Sequence, residues 1–118
     1  MKDLVQRVLK NAGAPEYLAH TPWRAAEPPV SAEGVYATYR AKFAAARRDL
    51  EAVLGDAERA LPRDADWFQG WYPEAFAAAA WWVDSKWLCL AAEHHDRETP
   101  VALLVRVLTE EEIEVLGQ

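Results

Sequence analysis

The sequence predicts an α+β domain that is mostly helical, with an all-α fold as the alternative. Three observations predict it. Apolar residues recur at helical spacing from about 32 to 61. Prolines and glycines cut the chain on either side of that stretch. Two apolar runs near the C-terminus, KWLCLAAE and PVALLVRVL, have the length of strands and are separated by the polar HHDRET.

The first element is a short helix over 2–12. Leu4, Val5, Val8, Leu9 and Ala12 lie at helical spacing, Asp3 sits in the first turn, and Gly13 marks the stop. Residues 13–30 read as a proline-rich connecting arm, because Pro15, Pro22, Pro28 and Pro29 forbid a continuous helix. Tyr17, Leu18 and Trp23 are its tethers to the core. A long helix follows over 32–61, capped by Ser31 and ended by Pro62. Its apolar positions, from Val35 and Tyr36 through Tyr39, Phe43, Ala46, Leu50 and Val53 to Leu61, fall within an arc about 100° wide. Gly55 interrupts it as a kink or a break. Residues 62–73 form an irregular segment or a short helical turn.

Pro73 suits the first turn of a third helix through EAFAAAAWWV. Beyond it, 86–93 and 100–108 pair as an antiparallel hairpin, since Leu103, Val105 and Val107 alternate and valine favours a sheet. The rival reading continues one helix from 74 to 94. Thr109 with Glu112 makes a capping box, and glutamates 110–112 suit the dipole of a last helix over 110–116.

Hydrophobic residues make up 52% and charged residues 27%, which excludes a collagen-like or wholly disordered chain and fits one domain over 1–118. Cys89 is the sole cysteine, so no intrachain disulfide can form and a reducing compartment is expected. The N-terminal stretch lacks the apolar core of a signal peptide, and the longest uncharged run, 75–83, is nine residues. A cytoplasmic location without membrane contact follows as the expectation. The net charge of −6 hides a split. Residues 1–48 hold eight basic and four acidic groups, whereas 49–118 hold five basic and fifteen acidic. An acidic chain argues against general nucleic-acid binding, which needs cations to displace phosphate counterions. It suits a basic protein partner, and the split itself is compatible with a homodimer.

Aromatics are the most unusual feature. Trp67, Phe68, Trp71, Tyr72, Phe76, Trp81, Trp82 and Trp87 place eight of thirteen within twenty-one positions. Such a cluster can be core, since each ring buries roughly 150–250 Å². It can equally be a recognition surface, because tryptophan and tyrosine are enriched among interface hot spots. Adjacent pairs such as Trp81–Trp82 cannot both enter one core from one element, because neighbouring side chains diverge.

Other groups are weaker. Glu93, His94, His95 and Asp96, with His20, have metal-ligand chemistry, but adjacent residues diverge and HHDRET reads as a solvated turn. Cys89 lies in an apolar setting that disfavours a thiolate, so it reads as core. Asp64, Asp66, Asp84 and Glu74 put carboxylates near the aromatics, a composition shared with sugar-handling sites. Arg40, Arg47 and Arg48 lie on the long helix, where Arg47 with Glu51 and Asp56 with Arg59 make surface pairs. No phosphate loop, nucleophile elbow or zinc-protease motif is present in the sequence. Neither a metal nor a cofactor is expected.

The function these features favour is non-catalytic binding of another protein, as an inhibitor, immunity or adaptor component, through the aromatic, acidic segment. Trp67, Trp71 and Tyr72 are the binding candidates, flanked by Asp64 and Asp66. Two alternatives stand beside it. One is a small-molecule binder or minor enzyme using an aromatic pocket with His94, His95 or Asp84. The other is a nucleic-acid-linked regulator or DNA mimic.

Overall fold

A computed structural model describes residues 2–20, 32–94 and 101–116. Its centre is a five-stranded antiparallel sheet, which overturns both the mostly helical α+β expectation and the all-α alternative. The elements run α1 (Lys2–Lys10), β1 (Glu16–His20), α2 (Ala32–Leu54), β2 (Arg59–Ala60), α3 (Ala65–Gln69), β3 (Ala75–Val83), β4 (Lys86–Glu93), β5 (Ala102–Val107) and α4 (Glu110–Leu116). The strand order is β1-β5-β4-β3-β2.

β3 is the largest correction, because a helix was predicted there. Alanine has the highest helix propensity, but propensity is a weak prior that pairing overrides. Here the turn decides. Asp84 and Ser85 both adopt left-handed backbone (φ 50° and 62°), the geometry of a two-residue hairpin whose twist matches its strands. The hairpin sets Trp82 opposite Trp87 and Val83 opposite Lys86, and β3 then zips along β4 to Ala75 and Glu93. Alanines are too small to fill a helix stripe. On a strand they leave room on both faces for other elements to approach. The β4–β5 pairing, Leu90 opposite Val105, lies where the two apolar runs predict it.

β1 lies inside the stretch read as a connecting arm. It pairs with β5 at the sheet edge, with a bulge between Tyr17 and Ala19. Its partner is more than eighty residues away, so no local pattern announces it. Tyr17 and Leu18 are exposed, whereas Ala19 packs on the core, so the expected tethers are not the contact. Trp23, Pro22, Pro28, Pro29 and the Ser31 cap lie outside the described residues.

The long helix stops at Leu54 rather than 61. Gly55 adopts φ +84° and donates its N–H to the Glu51 carbonyl at 2.8 Å, a left-handed helix stop. The chain then reverses into β2, where Glu58 N–H bonds Ala80 and Leu61 N–H bonds Ala78.

Two layers cover the sheet. α1 and α2 bury Leu4, Val8, Tyr39, Phe43 and Leu50 against the face that carries Ala79, Trp81, Leu88, Leu90, Val105 and Val107. The opposite face carries Ala78, Ala80, Cys89 and Ala91, over which Phe68 and Tyr72 pack from α3 and the turn after it. No helix among the described residues is long and apolar enough to cross a membrane.

Candidate functional site

Strand parity builds the site. On β3 and β4, side chains alternate between faces. Trp81 turns to the helices, buried, with its Nε1–H donated to the Gly55 carbonyl at 2.8 Å. Trp82 and its cross-strand partner Trp87 therefore share the opposite face, where Trp87 packs beside Ala80 and Cys89. The five residues of α3 bring Trp67 and Phe68 over that same face.

The result is a ladder of four indoles. Trp71 meets Trp67 at 5.4 Å, Trp67 meets Trp87 at 5.0 Å, and Trp87 meets Trp82 at 5.2 Å, each pair steeply inclined. Such edge-to-face contacts align the positive rim of one ring with the negative face of the next. Each is worth about 0.5–1.5 kcal/mol beyond area burial. The inner end is closed by Arg106, whose guanidinium lies 5.4 Å from the Trp71 ring and 4.9 Å from that of Tyr72. The outer end, Trp82, is 48% exposed.

Beneath the ladder runs a polar chain. Tyr72 is hydrogen-bonded to Glu93, a buried carboxyl on β4. Burial first, then the nearby Glu93 charge, pushes the Tyr72 phenol well above its ordinary value, so it stays protonated. Arg106 binds Glu112 through both nitrogens at 2.8 and 2.7 Å. Burial works against the Arg106 charge, but the Glu112 pair outweighs it and raises its pKa. Glu112 mirrors this. Burial works against its charge, and the bonds from Arg106 and Thr109 N–H still hold its carboxyl below the usual range. The capping box at Thr109 is formed, with Glu112 N–H on Thr109 Oγ1 at 3.3 Å and Thr109 N–H on Glu112 Oε1 at 3.1 Å. The Trp71 Nε1–H is buried with no hydrogen-bond partner among the described residues.

The five residues picked from the sequence do not make one surface. Trp67 and Trp71 are half-buried rungs of the ladder, and Tyr72 is buried below them. Asp64 is engaged inside the fold. It accepts the Ala60 N–H at 2.9 Å and pairs with Arg63 and Arg59 at 2.9 and 3.5 Å. That backbone bond, with the two arginines, holds its carboxyl below the ordinary value although partial desolvation opposes the shift. Asp66 is exposed in the first turn of α3. The exposed ring is Trp82, which lies outside the five sequence candidates together with Glu58, whose Oε2 accepts the Trp82 N–H at 2.9 Å. The adjacency of Trp81 and Trp82 was the available signal; only strand parity says which one faces out.

The remaining candidates disperse. Glu93 faces Tyr72 while His94 turns to α2, where Nδ1 shares a 2.6 Å hydrogen bond with Tyr36 Oη. His95 and Asp96 lie outside the described residues, among which no group of three His, Cys, Asp or Glu is placed to hold a metal. Cys89 is fully buried, and burial lifts its thiol to about 12. Arg40 lies over Phe76 at 5.4 Å and Arg47 pairs with Glu51 at 3.6 Å. The predicted Asp56–Arg59 helix pair is replaced, because the helix has ended and Arg59 reaches Asp64 and the Trp67 ring instead.

Comparison with protein-family models, curated proteins and solved structures finds no match to this chain.

Proposed function

We propose that this protein acts by binding another protein without catalysing a reaction, in the manner of an inhibitor, immunity or adaptor component. Its contact surface is the outer end of the tryptophan ladder. The observation that supports this is Trp82, the most exposed tryptophan among the described residues, set edge-on against Trp87, which is itself braced by Trp67. A ring already fixed loses little freedom on association, so more of its burial survives as affinity. Exposed carboxylates at Glu58, bonded to the Trp82 backbone, and Asp84, two residues on, lie beside it, and with exposed Asp66 on α3 they favour a basic partner. Their charge acts mainly on the rate of encounter.

The test is capture from the native cell extract by immobilised protein, followed by titration with the purified partner. Trp82→Ala weakens that binding by about tenfold or more, equivalent to about 1.4 kcal/mol. Asp66→Lys slows association, and Arg48→Ala, on the helix face, changes neither. Equal binding by all variants overturns the proposal.

A further inference from the structure

The aromatic side of this molecule repeats one motif: a ring face, a guanidinium over it, and a carboxylate holding the guanidinium. Arg59 lies 5.7 Å over Trp67 and 3.5 Å from Asp64. Arg106 lies 4.9 Å over Tyr72 and pairs with Glu112 at 2.7 Å. At Trp82 two of the three parts are present. The ring is exposed, and its neighbour Trp87 stands at 65° to it with centroids 5.2 Å apart, forming a two-walled corner. The Glu58 carboxylate lies against the Trp82 backbone at 2.9 Å, and exposed Asp84 follows in the hairpin turn. Among the described residues no cation lies over the Trp82 ring.

We propose that this corner receives an arginine side chain of the protein partner, completing the third copy of the motif. The inference rests on the protein-binding reading and names the chemistry of its contact. Arginine fits better than lysine. Its planar, weakly hydrated guanidinium stacks on an indole while offering N–H groups sideways to carboxylates, and an ammonium does not do both. Glu58 Oε2 accepts the backbone N–H of Trp82, and the other carboxylate oxygen is the acceptor for the incoming guanidinium.

The experiment uses the full chain labelled with nitrogen-15 and a capped tetra-arginine peptide, with tetra-lysine and tetra-citrulline peptides as controls. The Trp82 indole resonance is assigned by its loss in Trp82→Phe. Tetra-arginine shifts this resonance, tetra-lysine binds about threefold or more weakly, and citrulline, uncharged but isosteric, leaves it in place. Glu58→Gln keeps the acceptor for Trp82 N–H, and Asp84→Asn keeps a residue that tolerates the left-handed turn. Each weakens the arginine peptide about threefold, and raised salt weakens it further. An unmoved Trp82 indole, an equal shift with citrulline, or equal affinity for lysine overturns the arginine assignment. If the indole stays unmoved while Trp82→Ala still abolishes partner capture, the arginine chemistry fails and the protein-binding surface stands. If the arginine peptide binds at Trp82 while partner capture ignores Trp82→Ala, the proposed function fails and the corner stands.

Discussion

Trp81 and Trp82 are neighbours in the chain and lie on opposite sides of the sheet. Trp81 is 1% exposed and bonded to the Gly55 carbonyl, whereas Trp82 is 48% exposed on the ladder. One residue of register separates a core anchor from a surface ring. Substitution therefore separates the two roles. Trp81→Ala opens a large cavity and costs about 3–5 kcal/mol. Trp82→Ala, removing a half-exposed side chain and one ring contact, costs about 1 kcal/mol. Urea midpoints of the two variants measure the difference.

The pair between Arg106 and Glu112 fastens α4 to the sheet and sets an acid sensitivity. The folded Glu112 carboxyl has a pKa below its usual 4.5. Its contribution is therefore complete above about 4.5 and is lost as pH falls through the lower, folded value. Asp64, also lowered, acts in the same direction. Urea midpoints of the native chain decline on acidification below about pH 4.5. Glu112→Gln declines less steeply and is less stable at neutral pH by about 1–2 kcal/mol, since it weakens both a cap and an ion pair. Parallel pH profiles for the two proteins would contradict this role.

Among the described residues, two glycines occupy left-handed backbone for different reasons. Gly55 (φ +84°) has nothing within 4 Å of an added Cβ, so Gly55→Ala costs backbone strain alone, about 1–2 kcal/mol. Gly13 (φ +87°) bonds Val107 at 2.8 Å, and a Cβ there would stand 2.8 Å from Thr109 Cγ2. Gly13→Ala is therefore the more damaging of the two, and thermal unfolding of both ranks them.

Cys89 lies at the centre of the sheet with its thiol lifted to about 12. At pH 8 it stays protonated and enclosed, so a thiol reagent reacts only as fast as the fold opens. Labelling slows in step with added stability, and a rate equal to that of the unfolded chain is the contrary result.

How far these features were legible follows from where their causes lie. The start of the long helix, the C-terminal hairpin and the Thr109–Glu112 box are local patterns, and local patterns read directly from sequence. β3 was hidden because four consecutive alanines favour a helix in isolation, while its strand state comes from Asp84–Ser85 and pairing with β4. Nor could β1 be read, because its partner β5 lies far along the chain and its bulge breaks alternation at Tyr17. The concentration of aromatics in 67–87 was visible. Their division into buried, half-buried and exposed rings was not, because a helix turns neighbours by 100° and a strand by 180°. Asp64 shows the same gap: its charge was plain, but its three partners exist only once the turn between β2 and α3 closes.

Whether the protein binds its partner through the exposed end of the tryptophan ladder, as proposed, is decided by one comparison. Affinity for the captured, purified partner is measured by calorimetry for the native chain and for Trp82→Ala, with folding of both verified by urea unfolding. A loss of about tenfold or more with the fold retained is the expected result. An unchanged affinity in a folded Trp82→Ala protein would contradict it.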